Sequence, residues 1–257
     1  MTKDKKVLYT TSLIIFAVFF AALFVDMGSS KIVAAILLLP ITPAVCLVIK
    51  KRSSLSINKK EILLLSIIIP AIYAILLHIS GMFFGYYKNP YFVTPQLLIK
   101  AIIPLAMIII GSEIIRYVFL SQKNKLVSVI AFLICITLEL LMFSSIPGIR
   151  SFNKFMDLVG MTLFPAISAN IYYHYVSKHF GALPNIAFRL ITTLYIYFVP
   201  TAAAIPDALS ACIKILFPIF WLAFLSSLYT KQKIQQVLLD IFQLLVLIFF
   251  CHLKSLY

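Results

Sequence analysis

The stretch Gly-Ser-Glu-Ile-Ile-Arg-Tyr, residues 111–117, lies inside the long apolar run QLLIKAIIPLAMIIIGSEIIRYVFL of residues 96–120. At about 1.5 Å per residue, such a run is long enough to cross a bilayer as one helix. Glu113 and Arg116 are three residues apart, which places them on one face of that helix. A charged pair within hydrocarbon is costly and is kept mostly where protein or water surrounds it. The stretch therefore predicts a multi-spanning membrane protein with a polar interior.

Apolar runs of this kind repeat along the whole chain. Of its 257 residues, 63% are hydrophobic and only 12% are charged, which is far outside the range of soluble domains. We predict a single all-α domain over residues 1–257, a polytopic helix bundle in the lipid bilayer. About nine transmembrane helices are expected, at 7–25, 32–49, 62–80, 96–120, 126–146, 156–176, 183–204, 210–229 and 234–253.

The basic residues indicate the orientation of these spans. The net charge is +14, but the basic residues are scattered in short connections, which is typical of a topology signal rather than of a nucleic acid site. Most of the basic residues lie in the connections on the same side of the membrane as the N-terminus. Because basic connections stay in the cytoplasm, we predict an N-terminus inside the cell and a C-terminus outside. The longest outer connection, 81–95, is rich in Tyr and Phe, which favours an aromatic belt at the interface over a substrate-facing lip.

Several polar residues fall within predicted spans, and depth places five of them in the cytoplasmic half of the membrane. This candidate intramembrane cluster comprises Glu113, Arg116, Asn170, His174 and Arg189. Glu139 is a secondary candidate near the midplane, with Arg189 or Tyr195 as its expected partner. Two interpretations stay open. The charges form structural ion pairs, with Arg116 reaching toward the interface and Ser112 helping to hold Glu113, or they line a functional cavity.

The motifs that would assign chemistry are missing from the sequence. It has no His-Glu-x-x-His pattern, no Gly-x-Ser-x-Gly pattern and no phosphate-binding glycine loop. We therefore predict no metal, no cofactor and no catalytic residue.

A second set of patterns resembles a known family. These are Glu113-x-x-Arg116-Tyr117, Gly181-x-x-Pro184-Asn185-Ile186-x-Phe188-Arg189-Leu190-Ile191, Leu194-Tyr195-x-Tyr197-x-x-Pro200, Pro206-Asp207 and the stretch 85–91. Together they resemble the multi-spanning N-terminal membrane module of signal peptidase I-like proteins of Gram-positive bacteria, notably clostridia. The resemblance covers about residues 80–230.

In that family a type I signal peptidase domain follows the module, with a Ser nucleophile before Met and a Lys base on the outer face. Residues up to Tyr257 contain no such domain, so no catalytic residue is carried over. The resemblance implies a free-standing module, a paralogue that assists a partner, or a piece of a longer protein. We expect a non-catalytic accessory of envelope protein export or processing, in the bacterial plasma membrane, with a protein partner from that machinery.

Two other classes remain as alternatives. Buried charges and proline-containing spans also suit a membrane transporter or channel. Glu, Arg, Asn and His on several spans suit an intramembrane protease of the CAAX-processing type. The sequence departs from that family's pattern, because Glu113 has no adjacent Glu and Arg116 follows it by three residues rather than four.

Overall fold

The computed structural model describes residues 3–24, 30–48, 59–122, 124–143, 149 and 151–231. Helices form nearly all of this part of the chain, and two short strands pair beside them. The helices are α1 (Lys3–Ala22), α2 (Ser30–Val48), α3 (Lys59–Ile79), α4 (Gly81–Phe84), α5 (Pro95–Leu97), α6 (Ile103–Leu120), α7 (Lys125–Phe143), α8 (Phe152–Asp157), α9 (Phe164–Phe180), α10 (Ala182–Leu194) and α11 (Asp207–Lys231). The strands are β1 (Tyr86–Lys88) and β2 (Thr201–Ala203).

Within these described residues, five continuous helices are long and apolar enough to cross a membrane. They are Lys60–Phe84, Pro95–Leu120, Lys125–Phe143, Phe152–Phe180 and Asp207–Leu228. Shorter apolar helices lie at Val7–Ala22, Ile32–Leu47 and Ala182–Phe198. The all-helical membrane architecture expected from the sequence is thus confirmed in outline. The nine spans and the orientation stay predictions, and the ninth segment, 234–253, lies outside the described residues.

The prediction of one continuous helix over 183–204 is wrong in its second half. Helix α10 passes into a 3₁₀ turn at Tyr195–Phe198, and Val199 is extended at φ −103° and ψ 126°. The cause is Pro200, since a residue before proline is pushed out of the helical region by the proline ring. The chain then forms β2, which pairs antiparallel with β1.

The strand β1 lies in the aromatic connection that the sequence presented as an interfacial loop. Its register places Tyr86 opposite Ala203 and Lys88 opposite Thr201. The turn into β1 uses Gly85 at φ +87°, a conformation that favours glycine. At Gly81, a Cβ atom would collide with the Tyr86 ring, so a larger residue there would require this ring to move.

The paired strands β1 and β2 form a two-stranded ribbon. Asn89 connects this ribbon to the end of α10. Its side-chain nitrogen donates to the carbonyl oxygens of Ile196 at 2.5 Å and Val199 at 2.8 Å, while its Oδ1 accepts from the Tyr91 amide at 2.9 Å. The residue is almost fully buried. One side chain therefore satisfies two carbonyl groups that the end of a helix leaves free.

We expect Asn89→Ala to destabilise the protein by about 1–3 kcal/mol, because it removes the donor of two partly buried carbonyl groups. A lower melting temperature in detergent is the measurement. Lys88→Ala, which changes an exposed residue of the same ribbon, is the matched control and should melt like the parent protein. Equal melting of both variants would contradict the role assigned to Asn89.

Two apolar cores build the bundle. The first joins α1, α2, α6 and α7 through residues such as Phe19, Leu38, Ile108 and Ile134. The second joins α3, α9, α10 and α11 through residues that include Leu65, Tyr172, Phe188 and Trp221. Many large apolar side chains point outward from both cores, as expected of a helix bundle in lipid. The polar residues described next lie where the two cores meet.

Candidate functional site

Helix α6 carries the first ion pair of the site. Arg116 Nε lies 3.1 Å from Glu113 Oε2, and both side chains have no accessible surface. The three-residue spacing puts both groups on the face of α6 that packs against α9 and α10. Arg116 is therefore enclosed by protein, whereas the ion-pair interpretation of the sequence had it reach toward the membrane interface.

Arg189 of α10 joins α6 to α7. Its Nη1 lies 2.6 Å from Glu113 Oε1, and its Nη2 lies 2.5 Å from Glu139 Oε1. Nη1 also donates to Ser112 Oγ at 2.8 Å. Because Arg189 lies on a helix of the second core and both carboxylates lie on helices of the first, this guanidinium links the two halves of the bundle.

The four charged groups form a chain of alternating sign, Glu139, Arg189, Glu113 and Arg116, which we call the charge network. It contains two carboxylates and two guanidiniums, so its formal charge is zero. Burying an isolated ion costs several kcal/mol, and a pair offsets that cost only with close geometry and further hydrogen bonds. Alternation provides each ion with a close opposite charge.

Neutral side chains add hydrogen bonds to the charged groups of the network. Asn170 accepts from Arg116 Nη2 through Oδ1 at 2.5 Å and from Nη1 through its backbone carbonyl at 3.3 Å. Asn185 Nδ2 donates to Glu113 Oε2 at 2.9 Å, and Ser177 Oγ donates to the same oxygen at 3.3 Å. The network is thereby held inside the protein on all four helices α6, α7, α9 and α10.

An aromatic ring lies against both guanidinium groups. The Cζ atoms of Arg189 and Arg116 are 5.0 Å and 5.6 Å from the centre of the Tyr173 ring. Cations at this distance from an aromatic face are stabilised by its quadrupole, more so when they are desolvated. Tyr173 therefore adds to the stabilisation of both positive charges.

Most of the cluster predicted from sequence comes together. Glu113, Arg116, Asn170 and Arg189 are in direct contact, and Glu139 takes Arg189 as its partner rather than Tyr195. His174 lies beside the network and contacts α7: its Nε2 is 2.7 Å from Ser128 Oγ, and its ring meets Phe132 edge-on.

Sequence reasoning missed three residues of the site, Tyr173, Ser177 and Asn185. A usable signal existed, because Asn170, Tyr173 and Ser177 are spaced by three and four residues and so share one face of α9. Asn185 lies four residues before Arg189 on α10 by the same rule. Ser112 was expected to hold Glu113, but its hydroxyl donates to the Ile109 carbonyl and accepts from Arg189.

A cavity of about 570 Å³ adjoins the charge network. Glu139 and Arg189 form part of its wall, and residues of both strands, such as Tyr87 and Ala203, line it as well. The cavity therefore extends from the network toward the ribbon end of the bundle. Much of the remaining lining is aromatic, including Tyr73, Tyr195 and Phe217.

The described part of the chain contains no group of three His, Cys, Asp or Glu residues arranged to hold a metal ion. The polar chemistry of the site is ion pairing and hydrogen bonding among α6, α7, α9 and α10. Its arrangement can hold helices in register and can present one carboxylate, Glu139, to the cavity.

Together, the apolar helices and the buried charges define a helical membrane protein with an internal ion-pair network. No family model, no curated protein and no solved structure matches this chain.

Proposed function

We propose that the chain is a non-catalytic accessory protein of envelope protein export or processing, embedded in the bacterial plasma membrane. The observation that supports this role is that the charged groups of the network are paired with one another inside the protein. Glu113, which a protease would need as a free base, instead meets Arg116, Arg189, Asn185 and Ser177. Charges that are paired in this way hold the helices together. A membrane module that binds a partner needs such a rigid scaffold.

The residues of the network also carry the resemblance to the membrane module of signal peptidase I-like proteins. Glu113 and Arg116 stand in one of its patterns, and Asn185 and Arg189 stand in another. In the structure these two patterns meet through direct contacts between α6 and α10. A shared structural requirement, the junction between two helices, therefore accounts for their occurrence in one chain.

Purification of the tagged full chain in mild detergent, followed by mass spectrometry, tests the accessory role. We expect an export or envelope-processing protein to be recovered in stoichiometric amount. A tagged polytopic protein of similar hydropathy, expressed at the same level, is the control for nonspecific capture. Recovery of the chain alone, in folded form, would contradict the proposal.

A transporter or channel is the second candidate, and the cavity favours it. Intramembrane ionisable residues beside a cavity often mark a solute or ion pathway, and Glu139 has that position. In this case the full chain in liposomes would move a solute or protons. Glu139→Gln would stop the flux, whereas Asp157→Asn, at an exposed position, would not. Lack of flux in intact, correctly folded proteoliposomes would argue against transport.

No contact in the described residues favours the CAAX-type protease. That chemistry needs a free carboxylate and a histidine facing it, but His174 Nε2 contacts Ser128 on α7. The expectation for the alternative stays testable: Glu113→Gln would abolish proteolysis while the protein still folds.

A further inference from the structure

The cavity beside the network has the size and lining of a ligand site. Its volume of about 570 Å³ falls within the range of roughly 300–1,000 Å³ that is typical of small-molecule pockets. Aromatic rings make up much of its surface. Tyr73 stacks on Phe217 with ring centres 4.2 Å apart, and Phe217 stacks on Phe188 in turn. A ligand with an apolar body would be desolvated against these rings.

Glu139 gives this cavity one polar group with unused capacity. Its Oε1 is bonded to Arg189, but no residue that the structure describes donates a hydrogen bond to its Oε2. The residue is 6% exposed and lies in the cavity wall. A carboxylate oxygen can accept more than one hydrogen bond, so Glu139 offers a free acceptor atom in the wall of a space large enough for a donor.

The order of charges along the network leaves a net negative charge near Glu139. At the far end, the positive Arg116 is covered by the two oxygens of Asn170. In the middle, Arg189 is shared between Glu113 and Glu139. Glu139 therefore has only half of one guanidinium as compensation, and it is the end of the network that borders the cavity. In surroundings of low dielectric constant, such an excess of negative charge attracts a cation strongly.

The other charged groups of the lining do not cancel this attraction. Asp207 and Lys214 are seven residues apart on one face of α11, have opposite charges and are both exposed. His78 lies at the end of α3, where its ring contacts Tyr86. These groups lie on elements other than the helix of Glu139, and the two full charges among them balance.

We propose that the cavity binds an organic cation, an amine with an apolar body, whose ammonium group donates a hydrogen bond to Glu139 Oε2. The aromatic lining contacts the apolar body, and the ring faces favour the positive charge. The site rests neither on the accessory role nor on transport, since it follows from the cavity and the network alone.

Three probes with the same body and different head groups test the site: 4-phenylbutylamine, 4-phenylbutan-1-ol and 4-phenylbutyrate. Binding is measured by calorimetry on the full chain in lipid nanodiscs, with empty nanodiscs subtracted. We expect the amine to bind about tenfold more tightly than the alcohol, because a hydrogen bond between ions is stronger than one to a neutral donor. The carboxylate is expected to bind most weakly.

Substitutions then locate the binding. Glu139→Gln should reduce the preference for amine over alcohol to less than about twofold, because the neutral amide cannot favour a cation. Since Glu139→Gln also changes the network, Ala203→Trp provides a second variant that fills the cavity without touching a charged residue. Thr201→Trp, an exposed position of the same strand outside the lining, is its control.

Loss of amine binding in Ala203→Trp and normal binding in Thr201→Trp would support the site. Equal binding of the three probes to the parent protein would overturn it, as would a preserved amine preference in folded Glu139→Gln. The result is independent of whether an export protein copurifies with the chain, so failure of this site and failure of the accessory role are distinguishable.

Discussion

Glu113→Gln is expected to remove most of the folded protein. The substitution keeps the volume of the side chain but removes the central negative charge of the network, to which Arg116 and Arg189 are both paired. Arg116 would then lose its ion-pair partner, and Arg189 would keep only the carboxylate of Glu139. Breaking a buried ion pair by removing one partner costs about 3–5 kcal/mol. In a chain of this size such a loss lowers the melting temperature by roughly 10 °C.

The yield of monodisperse protein in size-exclusion chromatography and its melting temperature in detergent are the measurements. Asp157→Asn makes the same chemical change at an exposed residue of α8 and should leave both values unchanged. A Glu113→Gln protein with the yield and melting temperature of the parent would show that the network does not stabilise the bundle. Such a result would instead favour a functional role for the Glu113 carboxylate.

The charge network could largely be predicted because its members contrast with their surroundings. Charged residues inside apolar runs must find partners, and Glu113 and Arg116 of one predicted span occur at a depth similar to that of Arg189 in another. Side chains without charge gave a weaker signal. Asn185 and Ser177 are common residue types near helix ends, and only the packing of α9 against α10 and α6 brings both to Glu113.

The ribbon of β1 and β2 could not be predicted from the sequence, and the reason is different. Strands β1 and β2 have three residues each, too few for an alternating pattern, and they are more than 100 residues apart in the sequence. What pairs them is the position of α3 and α10 in the bundle, together with the bonds from Asn89 to the end of α10. Only Pro200 pointed locally to the end of a helix.

Two proline positions illustrate an intermediate case. Pro104 and Pro165 each follow a π-helical turn, at Leu98–Ile102 and Leu158–Leu163. A proline ring collides with the carbonyl group four residues earlier, and in both helices that carbonyl belongs to the π turn. In both helices a proline therefore coincides with an irregular turn. The wider turn that relieves the collision depends on the neighbouring helices and was not predictable.

Arg189→Met is expected to be the second most damaging single change, and its effect should depend on Glu139. Methionine replaces the arginine with a shorter, unbranched apolar side chain, so Glu139 loses its cation while Glu113 keeps Arg116. We expect a loss of about 3 kcal/mol, seen as a lower yield and melting temperature, because an uncompensated carboxylate remains buried between the two cores.

Adding Glu139→Gln to Arg189→Met should then restore part of the stability, although Glu139→Gln alone should lower it slightly. The effect of Glu139→Gln on stability changes sign between the two backgrounds. In the parent protein it removes a charge that is paired with Arg189, whereas in the Arg189→Met variant it removes a buried charge without a partner. The four proteins form a double-mutant cycle, for which we expect a coupling free energy of about 1–3 kcal/mol. Melting temperatures measured in one detergent give the comparison. If the double variant melts below Arg189→Met, the contact between Arg189 and Glu139 does not join the two halves of the bundle as an ion pair. The charge on Glu139 would then have to be compensated by a group other than Arg189.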